Sequence, residues 1–140
     1  MKKMMCMLLV GATLWACSDN EAYDELPAPI VTFITKYWPN PVIDSYVQPS
    51  ADEYEVVIKN GPSLTFDGNY SWTEVDGNGL PLPQIFLYDQ LPGTLYDYLE
   101  AGSYLGSVFK VERDSQTYSV ELLNFDIKYD VATGAVSGNS

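Results

Sequence analysis

The sequence predicts an α+β domain made of two tandem helix-plus-antiparallel-strand repeats, which share one sheet and place both helices on the same face. Three observations support this prediction. A stripe of apolar residues at helical spacing opens each half, segments of alternating apolar and polar residues follow it, and many positions recur between the halves. Strands in which apolar and polar residues alternate bury one face of a sheet. The apolar stripes of the helices are expected to pack on that face.

The first 16 residues are typical of a signal peptide. Lys2 and Lys3 precede an uncharged run from Met4 to Ala16, which is too short for the roughly 20 residues of a membrane-spanning helix. The stretch Leu14-Trp15-Ala16-Cys17 resembles the lipobox of bacterial lipoproteins. We therefore expect cleavage before Cys17 and attachment to a membrane through lipid on that residue. An ordinary signal peptide, with Cys17 kept as a free thiol, is the alternative.

Residues 17–25 form an acidic segment, with four carboxylates in the eight positions after Cys17. Such a composition suits a solvated tether. It also resembles the acidic cluster that directs some Gram-negative lipoproteins to the outer face of the outer membrane. We expect a lipid-anchored protein of the outer membrane, on its periplasmic or cell-surface side, with the surface favoured.

The charged and titratable residues exclude several classes of function. Beyond the signal peptide, five basic residues stand against nineteen acidic ones, a net charge of −14. This charge argues against nucleic acid, because phosphate neutralisation dominates such binding, and it favours cationic partners. The chain has no histidine. Cys6 leaves with the signal peptide and Cys17 carries lipid, so no thiol is left either. We therefore expect no histidine-based catalysis and no zinc, haem or iron–sulfur site. Paired carboxylates and a metal held by oxygen ligands stay open by residue type, but no pattern marks either, and we predict no metal and no cofactor.

The first unit, residues 26–79, begins with a helix. Pro27 suits a first helical turn, an apolar stripe runs from Ile30 to Tyr37, and Trp38-Pro39 ends the helix because a residue before proline avoids the α conformation. Hairpin signals at Asn60-Gly61 and Asp67-Gly68-Asn69 separate the strands that follow. The predicted strands are Val42–Gln48, Glu53–Asn60, Ser63–Asp67 and Tyr70–Val75.

The second half repeats the first less regularly. Residues 80–90 have no counterpart and are predicted to be a connector with a short helical turn, residues 91–136 form the second unit, and residues 137–140 a loose tail. Matching positions include Leu26 with Leu91, Tyr54 with Tyr118, and Leu64 with Ile127, at offsets of 65, 64 and 63. The slow drift in offset indicates single-residue gaps in loops.

The motifs LPxxIxxFIxxYWP, YEVxIxNG and LxFDxxxxW, partly repeated after a lipoprotein signal, resemble the β-lactamase-inhibitor-like, PepSY-like lipoproteins over residues 26–136. The second half departs from the pattern, since Gly102-Ser103 replaces an aromatic pair and Asn124-Phe125 replaces Asn-Gly. The resemblance implies tandem helix-plus-sheet modules, named after an inhibitor that grips its enzyme with a concave sheet face. It supplies no catalytic residues.

We therefore expect a non-enzymatic envelope module that binds a protein or peptide, with a protease or hydrolase inhibitor as the narrower form. The alternatives are a structural or accessory subunit of an outer-membrane complex and a hydrolase that uses a carboxylate pair. The sequence indicates no oligomeric state. We expect the loop Asp76–Gly79 to be a plain turn rather than a calcium site. The candidate contact surface is the open sheet face, with a mixed apolar and charged set of predicted members: Glu55, Val57, Lys59, Thr65, Glu121, Leu123 and Lys128. A binding protein should show exposed aromatic residues on such a face, whereas an enzyme should show a deep pocket with two carboxyl groups.

Overall fold

The computed structural model describes residues 26–139. The predictions of a signal peptide, of lipid on Cys17 and of an acidic tether lie outside these residues. Between residues 26 and 139, no helix has the length and apolar character needed to cross a membrane.

In the described part of the chain, eight antiparallel strands form one sheet, and their order in space follows their order in the sequence. The strands are β1 (Ile43–Ser50), β2 (Glu53–Ile58), β3 (Ser63–Asp67), β4 (Trp72–Asp76), β5 (Lys110–Arg113), β6 (Thr117–Glu121), β7 (Asp126–Asp130) and β8 (Val136–Asn139). Helix α1 (Ala28–Tyr37) precedes β1, whereas α2 (Gln84–Gln90), α3 (Gly93–Ala101) and a 3₁₀ turn (Leu105–Ser107) lie between β4 and β5. The α+β class with an antiparallel sheet is confirmed.

Helix α1 has the limits that its sequence predicts. Pro27 precedes its first residue, and the Trp38 amide donates a 2.8 Å hydrogen bond to the Ile34 carbonyl at its end. Ile30, Ile34 and Tyr37 are buried, which is the helical stripe expected from their spacing. The exposed flank of the helix therefore faces away from the sheet.

Helix α2 is longer than the short turn expected in the connector. It begins after Pro83 and buries Phe86 and Leu87 completely. The Phe86 ring lies 5.3 Å from the Trp72 ring of β4 and 5.5 Å from the Tyr37 ring of α1, measured between centroids. The connector thus contributes a helix to the core that covers the sheet.

The core lies on one side of the sheet. Strands β2 and β3 alternate buried and half-buried residues, with Tyr54, Val56 and Ile58 of β2 among the buried ones. Helix α3 buries Leu95 and Leu99 in the same cluster. The three α-helices of residues 26–139 therefore contribute to one layer that packs on one face of the strands.

Several predicted limits differ from the structure. Strand β1 is Ile43–Ser50 rather than Val42–Gln48, and β2 ends at Ile58 rather than Asn60, whose φ of 56° belongs to the turn. Strand β4 begins at Trp72 rather than Tyr70, because Tyr70 adopts a φ of 67° and belongs to the turn. The loose tail predicted from residue 137 is wrong for residues 137–139, which pair with β7 as part of β8. Main-chain pairing with Lys128 and Ile127 orders this segment although its sequence shows no strand-like alternation.

Candidate functional site

The candidate site is the sheet face opposite the helices, which we call the open face. No buried side chain within residues 26–139 belongs to it, since the core residues of β2, β3 and β7 alternate with it. Strand pairing aligns its side chains in two rows that cross the sheet. The first row, from β1 to β8, is Val47, Glu55, Thr65, Glu74, Glu112, Ser119, Lys128 and Ser137. The second row, from β1 to β7, is Ser45, Val57, Ser63, Asp76, Lys110, Glu121 and Asp126.

The structure brings five of the seven predicted residues onto this face. They are Glu55, Val57, Thr65, Glu121 and Lys128. The other two lie at its margins: Lys59 follows the last residue of β2, and Leu123, with 70% of its surface exposed, lies between β6 and β7. Their part in binding stays a prediction.

The aromatic residues that a binding face should show are missing from both rows of the open face. The aromatic side chains of the strands point to the helix side instead. There the Arg113 guanidinium lies over the Trp72 ring, 3.9 Å from the ring centroid, and the centroid of the Tyr118 ring lies 6.3 Å from that of Trp72. Arg113 also donates from Nε to the Trp72 carbonyl at 2.8 Å. These rings extend the core rather than form the open face.

The centre of the open face is an ion-paired cluster. Lys110 Nζ lies 3.4 Å from Glu74 Oε2 and 3.3 Å from Glu112 Oε2. Burial alone would lower the pKa of Lys110, but hydrogen bonds and charge attraction from Glu112 and Glu74 together raise it. A depression of about 240 Å³ begins beside this cluster and extends over β5 to β7, as far as Lys128. Lys110 is thus shared by two carboxylates in this part of the face.

Glu55 stands in a different environment. It is half-buried, lies between Val47 of β1 and Thr65 of β3, and has Val57 two residues along the same strand. Burial raises the pKa of the Glu55 carboxyl, and Glu53 raises it further. No lysine or arginine of residues 26–139 forms an ion pair with it. Glu55 is therefore an uncompensated carboxylate in a partly apolar part of the face.

The loop predicted to be a plain turn is held by hydrogen bonds of its own. Asp76 Oδ1 accepts from the Asn78 amide at 2.9 Å, and Asn78 Nδ2 donates to the Gly61 carbonyl at 2.9 Å. Across the described part of the chain, no three or more Asp, Glu, Cys or His side chains are grouped so that they could hold a metal ion. The carboxylates of the open face can bind positively charged groups, and its small polar side chains can contact an extended chain.

Sequence reasoning missed several residues of the open face. Glu53 could have been found, because it lies two positions before Glu55 on the same strand. Val47 could not, since its place opposite Glu55 depends on a register that changes at two points along β1. Lys110 and Glu112 flank the buried Val111, and this alternation was the available signal for them.

Comparison with known proteins agrees with the fold. A family model described as PepSY-like and beta-lactamase-inhibitor-like matches residues 52–134. No curated protein matches the sequence significantly. Among solved structures, a protein of the DUF2874 family from Bacteroides vulgatus, named as periplasmic, is 28% identical, with a TM-score of 0.69 over 84% of this chain and 93% of that one.

Two further solved structures share the fold. One, from Bacteroides thetaiotaomicron, is 24% identical with a TM-score of 0.68 and covers 84% of this chain and 93% of its own. The other, from Bacteroides vulgatus, is 22% identical with a TM-score of 0.68 and covers 84% and 94%. Both are named as periplasmic proteins. The family match spans more than half of the sequence and lies within residues 26–136, where the resemblance was expected; the helix motif of residues 26–39 lies outside the matched residues. This chain belongs to the PepSY-like, beta-lactamase-inhibitor-like family.

Proposed function

We propose that the protein is a non-enzymatic module of the cell envelope that binds a protein or peptide through its open face. The observation that carries this proposal concerns residues 26–139, where an eight-stranded sheet has its α-helices packed on one face and no helix on the other. Its two rows mix carboxylates, lysines and small side chains with Val47 and Val57. An extended surface of this kind suits a polypeptide better than a small molecule, which requires a concave and mostly apolar pocket.

The location of the protein in the cell envelope is the second part of the proposal. Lipid on Cys17 holds the protein at the outer membrane, and the acidic residues 17–25 keep the folded part clear of the headgroups. The lipobox-like sequence supports the anchor. The solved structure from Bacteroides vulgatus that is named as periplasmic, at 28% identity, supports the compartment.

The two halves of the domain are tandem repeats in this proposal. The order of elements supports the idea, because one helix precedes β1–β4 and α3 precedes β5–β8 in the same arrangement. Tyr54 of β2 and Tyr118 of β6, matched in the sequence, then occupy equivalent strands. If this is correct, the open face has two related halves that have diverged in charge.

Site-specific photo-crosslinking in intact cells tests the binding function. A photoreactive residue placed in the full chain at Thr65 or Ser119, both on the open face, should crosslink to the same protein species. The same residue at Asp97, exposed on α3 on the helix side, is the matched control and should not. Equal crosslinking from position 97, or none from positions 65 and 119, would contradict the proposal.

The narrower form, inhibition of a protease or hydrolase, has its own test. The species captured from positions 65 and 119 is purified and assayed with the full chain at increasing molar ratio. A stoichiometric loss of hydrolytic activity supports an inhibitor. If the captured species keeps its full activity when the chain is present in saturating amounts, inhibition is rejected, but the proposed binding function is not.

A further inference from the structure

The ion pairs of the open face are distributed unevenly, and this difference bears on the chemistry of the partner. Over β4 to β6, Lys110 lies within 3.4 Å of both Glu74 and Glu112, so one lysine is shared by two carboxylates. Over β1 to β3, the face carries Glu53 and Glu55, and no lysine or arginine of residues 26–139 pairs with either. The chain leaves this part of the face uncompensated.

The cations of the described chain are too distant to serve Glu55. Strands lie about 4.8 Å apart, so Lys110 on β5 stands about 14 Å away and Lys128 on β7 about 24 Å away. Lys59 follows four residues later, about 13 Å along the strand direction. Lys36 pairs with Asp89 on the helix side, at 3.2 Å. Arg113 lies on the helix side, against the Trp72 ring. A cation that pairs with Glu55 would therefore come from another molecule.

The surroundings of Glu55 select the chemistry of that charge. Val47 lies directly across from it, Val57 is its neighbour along the strand, and Thr65 flanks it on β3. Arginine and lysine side chains lay their aliphatic stems on apolar surface and carry the charge at the tip. A stem resting on the two valines would place its guanidinium or ammonium group against the carboxylate. A metal ion or a small hydrated cation would gain nothing from the valines.

We propose that Glu55, with Val47, Glu53, Val57 and Thr65, forms a site that receives an arginine or lysine side chain of the partner polypeptide; we call it the Glu55 site. This inference rests on the proposed binding function and specifies its chemistry. The half-burial of Glu55 and the raised pKa of its carboxyl support it, because a cation removes the repulsion from Glu53. The partner is thus a polypeptide with a basic residue at its contact surface.

Two synthetic peptides test this inference on the full chain, held in neutral detergent. One is an eight-residue peptide of alternating arginine and threonine, and the other has glutamine in place of each arginine. Both carry a fluorophore for anisotropy and a photoreactive group for mapping. We expect the arginine peptide to bind more tightly, and to crosslink to residues 43–67, the segment that forms β1 to β3.

A pair of variants separates the site from general attraction to an acidic protein. Glu55→Gln keeps the shape of the side chain and removes its charge, and we expect it to weaken binding of the arginine peptide by about fivefold or more. Glu100→Gln removes one charge from an exposed position on α3 and should change binding by less than about twofold. Thermal unfolding of both variants confirms that they are folded.

The outcomes distinguish this inference from the broader function. If both peptides bind equally and crosslink to the open face, the cation site is refuted while the binding function survives. If Glu55→Gln and Glu100→Gln weaken binding of the arginine peptide equally, the loss follows from the change in net charge, and the Glu55 site is refuted. Failure of the arginine peptide to bind rejects the site as well, and the crosslinking from Thr65 and Ser119 in cells then decides the function by itself.

Discussion

Replacing Phe86 with alanine should destabilise the protein strongly, although Phe86 lies in a segment whose sequence suggests only a connector. The ring is fully buried. Its centroid lies 5.3 to 6.1 Å from four other aromatic rings, which belong to Phe33, Tyr37, Trp38 and Trp72. Three of these partners come from α1 and its end and one from β4. Phe86 therefore joins the helix layer to the sheet.

The size of the effect follows from this burial. Phenylalanine-to-alanine changes in protein cores cost about 3–5 kcal/mol, and contacts between aromatic rings add to the burial of area. With no exposed surface and four ring neighbours, we expect about 4 kcal/mol for Phe86→Ala. At roughly 4 °C per kcal/mol for a domain of this size, the melting temperature should fall by about 16 °C.

Urea unfolding followed by circular dichroism measures this loss. Ile85→Ala is the matched control, because Ile85 is the preceding residue of the same helix and is 53% exposed. It should change the free energy of unfolding by less than about 1 kcal/mol. A loss below about 1.5 kcal/mol for Phe86→Ala, or an equal loss for both variants, would show that α2 is not part of the core and would refute the reasoning.

Three further predictions concern single positions. Because the pKa of Glu55 is raised in the folded state, its ionisation opposes folding, so Glu55→Gln should raise the melting temperature at pH 7 and lose that advantage below about pH 4. Backbone amides that donate to Asp114 lower its pKa, so its contribution to stability is present at neutral pH and is lost as pH falls through the folded-state pKa. Asp114→Ala should therefore lower the melting temperature at pH 7, and the difference should shrink on acidification; a constant difference would contradict this cause. A side chain at Gly77 would collide with the Leu80 carbonyl oxygen, so Gly77→Ala should cost about 1–3 kcal/mol in chemical denaturation. Gly93→Ala, where nothing lies nearby and the residue is helical, should be neutral or stabilising by up to about 1 kcal/mol, and a loss there would count against the reasoning.

The part of the fold that local patterns govern could be predicted from the sequence. The stripe from Ile30 to Tyr37 gave α1, and the alternation at Tyr54, Val56 and Ile58 gave β2 with its buried face. In both cases the period of the apolar residues matches the element, and burial of that face stabilises it. Asn60, with a φ of 56°, occupies the turn that its Asn-Gly sequence indicates.

The rest depends on contacts between distant residues. The seven residues of α2 are too few for a clear helical period, and only the rings of α1 and β4 explain why Phe86 is buried. Strand β8 contains a glycine and little apolar surface, so its strand conformation derives from pairing with β7. On the open face, the place of Val47 beside Glu55 follows from the register of β1, which no local pattern encodes.

The strict agreement between strand order and sequence order also has a consequence for folding kinetics. Six of the seven strand pairings join neighbours across short connections, and they can form as local hairpins. Only β4 and β5 meet after a long intervening segment, residues 77–109. Because closing that loop costs the most entropy, we expect this pairing to form last. Helix α2 packs against Trp72 of β4, so we expect its docking to shorten the distance still to be closed and to speed the joining of β4 to β5.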